Sequence, residues 1–228
     1  LTKVQMEMGS KNPMLIMDDA DLDLAVAHAT GAAFGGTGQK CTAASRLIVH
    51  SAIHDAFLDR LVAAAGALKV GHALEEATQI GPVVSADQLA QNLNYVALGC
   101  SEGAELVCGG TRLDRATEGY YMAPTVFART RNDMRLNREE MFAPITCILK
   151  VDSYAEALAV ANDSEFGLTA GIMTRSQSMD VSVPTVAPLG HGASPLTLTD
   201  AHQYSRFVQR LHRRYADVLP LLEPGAPT

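Results

Sequence analysis

Cys41 follows a glycine-rich run, Gly35-Gly36-Thr37-Gly38-Gln39-Lys40, and precedes Thr42-Ala43-Ala44-Ser45. Glycines let backbone amides approach a ligand closely. A thiolate on such a loop can attack a carbonyl carbon while nearby N–H groups hold the charge that develops on its oxygen. The residues alone leave two accounts open, a reactive Cys41 and a buried packing thiol. Glu7 stands before a glycine turn in Val4-Gln5-Met6-Glu7-Met8-Gly9. Inside an apolar strand its carboxylate would be costly to keep charged and would suit a general base. Pointing to solvent it would be an ordinary surface glutamate, the simpler account on position alone. Glu139-Glu140-Met141-Phe142-Ala143-Pro144 sets two acids before an aromatic residue and a proline. Vicinal side chains diverge, so a catalytic pair of carboxylates is not expected. One acid could accept ribose hydroxyls with Phe142 against a ring; a solvated face with one core phenylalanine is the plainer alternative.

The elements that must hold these residues alternate between strand and helix patterns. Val4–Met8 and Leu15–Met17 read as short buried strands. Asp18, Asp19 and Asp21 offer caps to a helix over about 21–34. Strands follow at Ser45–His50, Leu106–Cys108, Tyr120–Phe127, Ile145–Val151 and Leu168–Thr174. Helical spacing predicts Ala52–Leu68, Ser85–Cys100 and Tyr154–Asn162. This alternation implies a layered α/β domain with a largely parallel sheet. Pro184, Pro188, Pro195, Pro220, Pro224 and Pro227 crowd the stretch after it, with a candidate amphipathic helix over Ala201–Leu219. The boundary is expected near Asp180, giving one domain over 1–180 and a divergent Pro-, His- and Arg-rich tail over 181–228.

Composition narrows the function classes. The chain has 228 residues, 47% of them hydrophobic, and a formal net charge of −7. An acidic chain without a basic block argues against a nucleic-acid partner. No apolar run approaches the roughly 20 residues of a membrane helix. Cys41, Cys100, Cys108 and Cys147 form no C-x-x-C pair, and the histidines form no H-E-x-x-H pattern, so no metal site is expected. Free thiols, most of them buried, fit a reducing, cytoplasmic setting. Phosphate-loop and G-x-G-x-x-G patterns are absent. No segment around His28, His50 or His54 supplies the partner of a cysteine protease.

Five segments occur in a telling order: Met6-Glu7-Met8-Gly9-Ser10-Lys11, Phe34 to Cys41, Ile80-Gly81-Pro82, Glu139 to Pro144, and Asn162-Asp163-Ser164-Glu165-Phe166-Gly167-Leu168. Together they resemble the NAD(P)-dependent aldehyde dehydrogenase superfamily over residues 1 to about 180. The text looks closest to its α-ketoglutaric semialdehyde (2,5-dioxopentanoate) dehydrogenases. The resemblance implies an α/β/α catalytic domain, NAD or NADP as cofactor and a small aldehyde as substrate. It implies Cys41 as the nucleophile that passes through a thiohemiacetal and a thioester, with its own amide in the oxyanion hole. Glu7 would activate water, Glu140 would hold the nicotinamide ribose with Phe142 packed nearby, and the backbone at Met8 would lie against the nicotinamide.

The chain also departs from that pattern. The family's amino-terminal cofactor-binding half is expected to be missing. So is the strand through which its members form homo-oligomers. Ser10 and Ala143 stand where glycine is usual, and the Ser10 side chain is expected beside the nicotinamide position. The competing reading is an inert fragment or interaction module, with at most a residual thiol esterase activity at Cys41.

Overall fold

The computed structural model describes Lys3 and residues 5–176. The chain divides into two units. The first, Leu1–Ser164 with Leu168–Arg175, carries every element described below; the second comprises Glu165–Gly167 and Ser176–Thr228. The boundary expected near Asp180 and the helix expected over 201–219 lie outside the described residues.

In chain order the elements are β1 (Asn12–Ile16), α1 (Leu22–Phe34), a tight turn at Gly35–Gly38, β2 (Ala44–His50), α2 (His54–Ala67), α3 (Ala86–Ser101), β3 (Glu105–Cys108), β4 (Thr125–Ala128), α4 (Arg135–Arg138), β5 (Ile145–Val151), α5 (Tyr154–Asn162) and β6 (Gly171–Met173). The strands form one sheet in the order β3-β4-β5-β2-β1-β6. Every neighbouring pair is parallel except β3 with β4 at one edge. The α/β class and the largely parallel sheet are therefore as the sequence implies.

Both sheet faces are covered, which is why the central strands read as near-continuous apolar runs. Side chains alternate between two cores, as a period of two requires. Val126 and Ile148 join a core with Phe34, Leu47, Phe57 and Leu61 from the α1 and α2 side. Phe127 and Cys147 join a second core with Leu89, Val96 and Leu136 from α3 and α4. Helix starts follow local chemistry. Asp21 caps α1 by accepting from Leu24 N at 3.2 Å, Ser85 caps α3 from Gln88 N at 3.1 Å, and Ser153 caps α5 from Glu156 N at 3.2 Å.

Several expectations need correction. Residues 5–8 form no strand, and β1 starts at Asn12. The strand expected over Tyr120–Phe127 is broken. Tyr120 and Met122 make single bridges to Val83 and Arg112, and regular pairing starts at Thr125 because Pro124 has no N–H to give. The last strand shrinks to Gly171–Met173, and α4 was not foreseen. Only Cys147 among the cysteines is buried; Cys41 and Cys100 are exposed.

Arg46 ties these layers together. It is 1% exposed. Its Nε donates to Lys11 O at 3.0 Å, Nη1 to Val160 O at 3.0 Å and Asn132 Oδ1 at 3.1 Å, and Nη2 to Ala161 O at 2.9 Å. Burial pushes its guanidinium down to about 10. One planar donor fork thereby fixes the segment before β1 against the C-terminal end of α5.

Candidate active site

The segment entering β1 brings the candidate residues together. Ser10 N donates to Glu140 Oε1 at 2.9 Å. Two residues on, Asn12 Nδ2 donates to Cys41 O at 2.8 Å and Ala43 O at 2.9 Å, while Asn12 Oδ1 accepts from Thr169 N at 3.1 Å and from the Ser10 hydroxyl. Asn12 is 3% exposed, so these bonds satisfy a buried amide completely enough to make it a structural node. Its neighbour Pro13 suggests only a turn in the sequence; nothing local announces three partners so far away. The Ser10 side chain, expected to crowd a nicotinamide, is buried and turned toward Asn12.

The cysteine loop leaves α1 through a strained turn. Gly36, Thr37 and Gly38 have φ of 62°, 62° and 66°. A β-branched residue at positive φ costs about 1–3 kcal/mol, and Thr37 is held there by burial and by its hydroxyl, which donates to Gly81 O at 3.3 Å. Gln39 Oε1 accepts from Val84 N at 3.0 Å. The Ile80-Gly81-Pro82 block thus braces this loop. At Gly38 an added Cβ would lie 2.0 Å from Ala143 O, so the loop packs backbone to backbone on the turn that follows Glu140.

The two vicinal acids diverge. Glu139 receives Arg135 Nε at 2.6 Å, Arg135 Nη2 at 3.0 Å and Tyr95 OH at 3.0 Å; the arginine beside it holds its carboxyl below the usual range. Glu140 instead lines a recess with Ser10, Gly38, Lys40, Ser45 and Phe142. Gln88 Nε2 donates to Met141 O at 3.2 Å and Phe142 O at 3.3 Å. This holds Phe142 at φ 53° with its side chain partly out of the core, 40% exposed, and not the core phenylalanine of the plainer account.

Glu7 and Met8 lie in the segment just before this junction. Glu7 is exposed and accepts from Gln5 Nε2 at 3.2 Å; among the described hydrogen bonds none joins it to Cys41. Of the two accounts of its position the simpler, solvent-facing one holds, because residues 5–8 form no strand that could bury the carboxylate. Met8 is half-buried.

Lys11 is a buried charge that the sequence did not flag. It is 1% exposed, its Nζ has no hydrogen-bond partner among the described residues, and burial pushes its ammonium down to about 8. Burial likewise pushes the Cys147 thiol up to about 11. Between about pH 8 and 9 the unfolded chain holds a proton on this lysine that the folded chain has released, so stability rises with pH. Above about pH 9 ionisation of the unfolded Cys147 thiol opposes that gain. A rise in melting temperature from pH 8 to pH 9, absent in Lys11→Met, is the expected result; an identical pH response in the variant would contradict it.

The family model described as Aldehyde dehydrogenase family matches residues 1–183. The chain is 43% identical over 176 residues to an α-ketoglutaric semialdehyde dehydrogenase of Bacillus subtilis, and 45% identical over 175 residues to a betaine aldehyde dehydrogenase of Rhizobium johnstonii. Each match covers 76% of this chain and 36% of the relative, so the chain spans little more than a third of their length. An aldehyde dehydrogenase structure from Bacillus cereus superposes with a TM-score of 0.72 at 38% identity, over 74% of this chain and 34% of that one. A 1-pyrroline-5-carboxylate dehydrogenase from Thermus with bound NAD does so with a TM-score of 0.71 at 43% identity, over 74% and 32%. A family match that runs the length of the described fold, with relatives 43% and 45% identical over 76% of the chain, shows that this chain belongs to the aldehyde dehydrogenase family.

Proposed function

We propose that residues 1–180 form the catalytic domain of an NAD(P)-dependent oxidation of an aldehyde to a carboxylic acid, with 181–228 a separate tail. The observation that carries this reading is the junction at Ser10–Asn12, which holds the Cys41 loop and Glu140 in one site. The residues fit a dinucleotide. Glu140 Oε1 is spent on Ser10 N, leaving the second oxygen to accept ribose hydroxyls, and the exposed Phe142 ring offers a face beside it. The bound cofactor, NAD or NADP, supplies the hydride acceptor. Cys41 Sγ adds to the carbonyl carbon to give a thiohemiacetal, and the Cys41 N–H donates to its oxygen. Loss of hydride leaves a thioester on Cys41. Glu7 takes the proton of the water that hydrolyses it, and the backbone at Met8 would hold the nicotinamide. The acid departs and the thiol is restored.

The Bacillus subtilis relative supports α-ketoglutaric semialdehyde as the substrate. Identity to the relative named for betaine aldehyde is nearly the same, so the choice falls to residues beside the thiol. Aldehyde-dependent reduction of NAD or NADP by the purified chain, with α-ketoglutaric semialdehyde and a simple aliphatic aldehyde, tests the reading. Turnover is expected to fall at least about a thousandfold in Cys41→Ala. Unchanged turnover in that variant would remove Cys41 as the nucleophile.

A further inference from the structure

We infer that Lys40 makes this site select aldehydes that carry a negative charge, its ammonium acting as the charge-reading group beside the reactive thiol. The inference rests on Cys41 as the nucleophile. Lys40 immediately precedes Cys41, is exposed, and has no ion-pair partner among the described residues. Its stem is not loose. A Cβ added to Gly36 would touch Lys40 Cε, Cδ and Cγ at 3.4–3.6 Å, and one added to Gly35 would touch Nζ at 3.2 Å. The two glycines leave a bare backbone shelf along which the lysine lies, its ammonium over Gly35, while the residue as a whole stays exposed. The same residue lines the recess that holds Glu140. Lysine therefore presents a pre-placed cation at the site rather than a freely rotating one, which lowers the entropic cost of using it.

The length also fits. Adjacent Cα atoms are about 3.8 Å apart, so even with both side chains extended the Lys40 ammonium can lie no further than about 13 Å from Cys41 Sγ. A five-carbon semialdehyde joined to Sγ carries its far carboxylate about 5 Å from the reacting carbon, inside that reach. A quaternary ammonium at the same place would meet a like charge. The two relatives quoted above are named for one aldehyde of each kind, an oxo-acid and a trimethylammonium compound. Lys40 favours the first.

The test needs no cofactor. Addition of the Cys41 thiol to an aldehyde carbonyl forms a C–S bond and moves the thiol proton to the carbonyl oxygen, and the thiohemiacetal resists alkylation. Labelling of Cys41 by iodoacetamide, a neutral reagent, is followed by mass spectrometry of its peptide in the presence of succinic semialdehyde or betaine aldehyde. Each aldehyde is compared with itself across variants, so intrinsic electrophilicity cancels. Going from the native chain to Lys40→Gln, the half-protecting concentration is expected to rise about fivefold for succinic semialdehyde and to fall for betaine aldehyde. Lys40→Glu enlarges both shifts, Lys40→Arg restores the native order, and raised salt shrinks the differences. Equal responses of the two aldehydes to Lys40→Gln overturn the inference while leaving Cys41 as the nucleophile. Failure of both aldehydes to protect Cys41, or protection by betaine aldehyde alone, overturns the inference, and the first of these overturns the proposed function with it.

Discussion

Gly38→Ala is expected to lower the unfolding free energy by about 3 kcal/mol or more, a large share of the roughly 5–15 kcal/mol that holds an ordinary domain. Two costs combine. The native φ of 66° strains any residue with a Cβ, by roughly 1–2 kcal/mol. The new methyl would also sit 2.0 Å from Ala143 O and 2.6 Å from its carbonyl carbon. These are backbone atoms, so no flexible side chain can give way, and overpacking of this kind costs about 1–3 kcal/mol. The only relief is to part the Cys41 loop from the Glu140 turn, so any activity should fall together with stability. Gly31→Ala in α1 is the companion variant. It has nothing within 4 Å of the added methyl and sits in a helix interior, so it should gain roughly 0.5–1 kcal/mol. Urea denaturation of both variants decides the matter; equal midpoints would show that the two loops do not meet as described.

Asn12→Asp should be nearly as damaging. The native amide gives two N–H groups to two carbonyl oxygens, at 2.8 Å and 2.9 Å. The substitution turns a carboxylate oxygen toward both. Two hydrogen bonds become two repulsive contacts inside a nearly dry site, a loss of about 3 kcal/mol. Asn12→Ala removes the bonds without adding charge and should cost less. Protonating the introduced carboxyl returns one donor, so the gap between the two variants should narrow as pH falls from 7 to 5. A gap that stays constant over that range would mean the side chain does not face Cys41 O and Ala43 O.

How much of this was legible in the sequence depends on how local the cause is. Ile145–Val151 and Tyr154–Asn162 emerge with the expected bounds because an apolar, largely β-branched run, a serine cap and a helical period lie within a few residues of each other. Residues 5–8, read as part of an apolar strand, have no neighbouring strand to pair with among the described residues, and strand formation is decided by neighbours. Cys41 and Glu140 stood out as motifs, and the divergence of Glu139 from Glu140 followed from backbone geometry. The residues that join them did not stand out. Asn12, Arg46 and Lys11 are polar letters that composition assigns to the surface, and apart from the nearby Ser10 hydroxyl the side-chain partners of Asn12 and Arg46 lie 29 to 157 positions away. Phe142 looked like a core residue until a positive φ turned it partly outward.

The Asn12 node also sets a timetable for biosynthesis. Its bond from Thr169 N spans 157 positions, and the neighbouring bond from Ser10 N to Glu140 spans 130. At about 5–20 residues per second, a ribosome delivers Thr169 roughly 8–30 s after Asn12. Throughout that interval the nascent thiol-bearing loop lacks part of its anchorage, and Asn12 Oδ1 has only the Ser10 hydroxyl while its second donor is not yet polymerised. A messenger that stops just before the codon for Thr169 therefore yields a chain with every chemically conspicuous residue in place and the clasp that unites them still open.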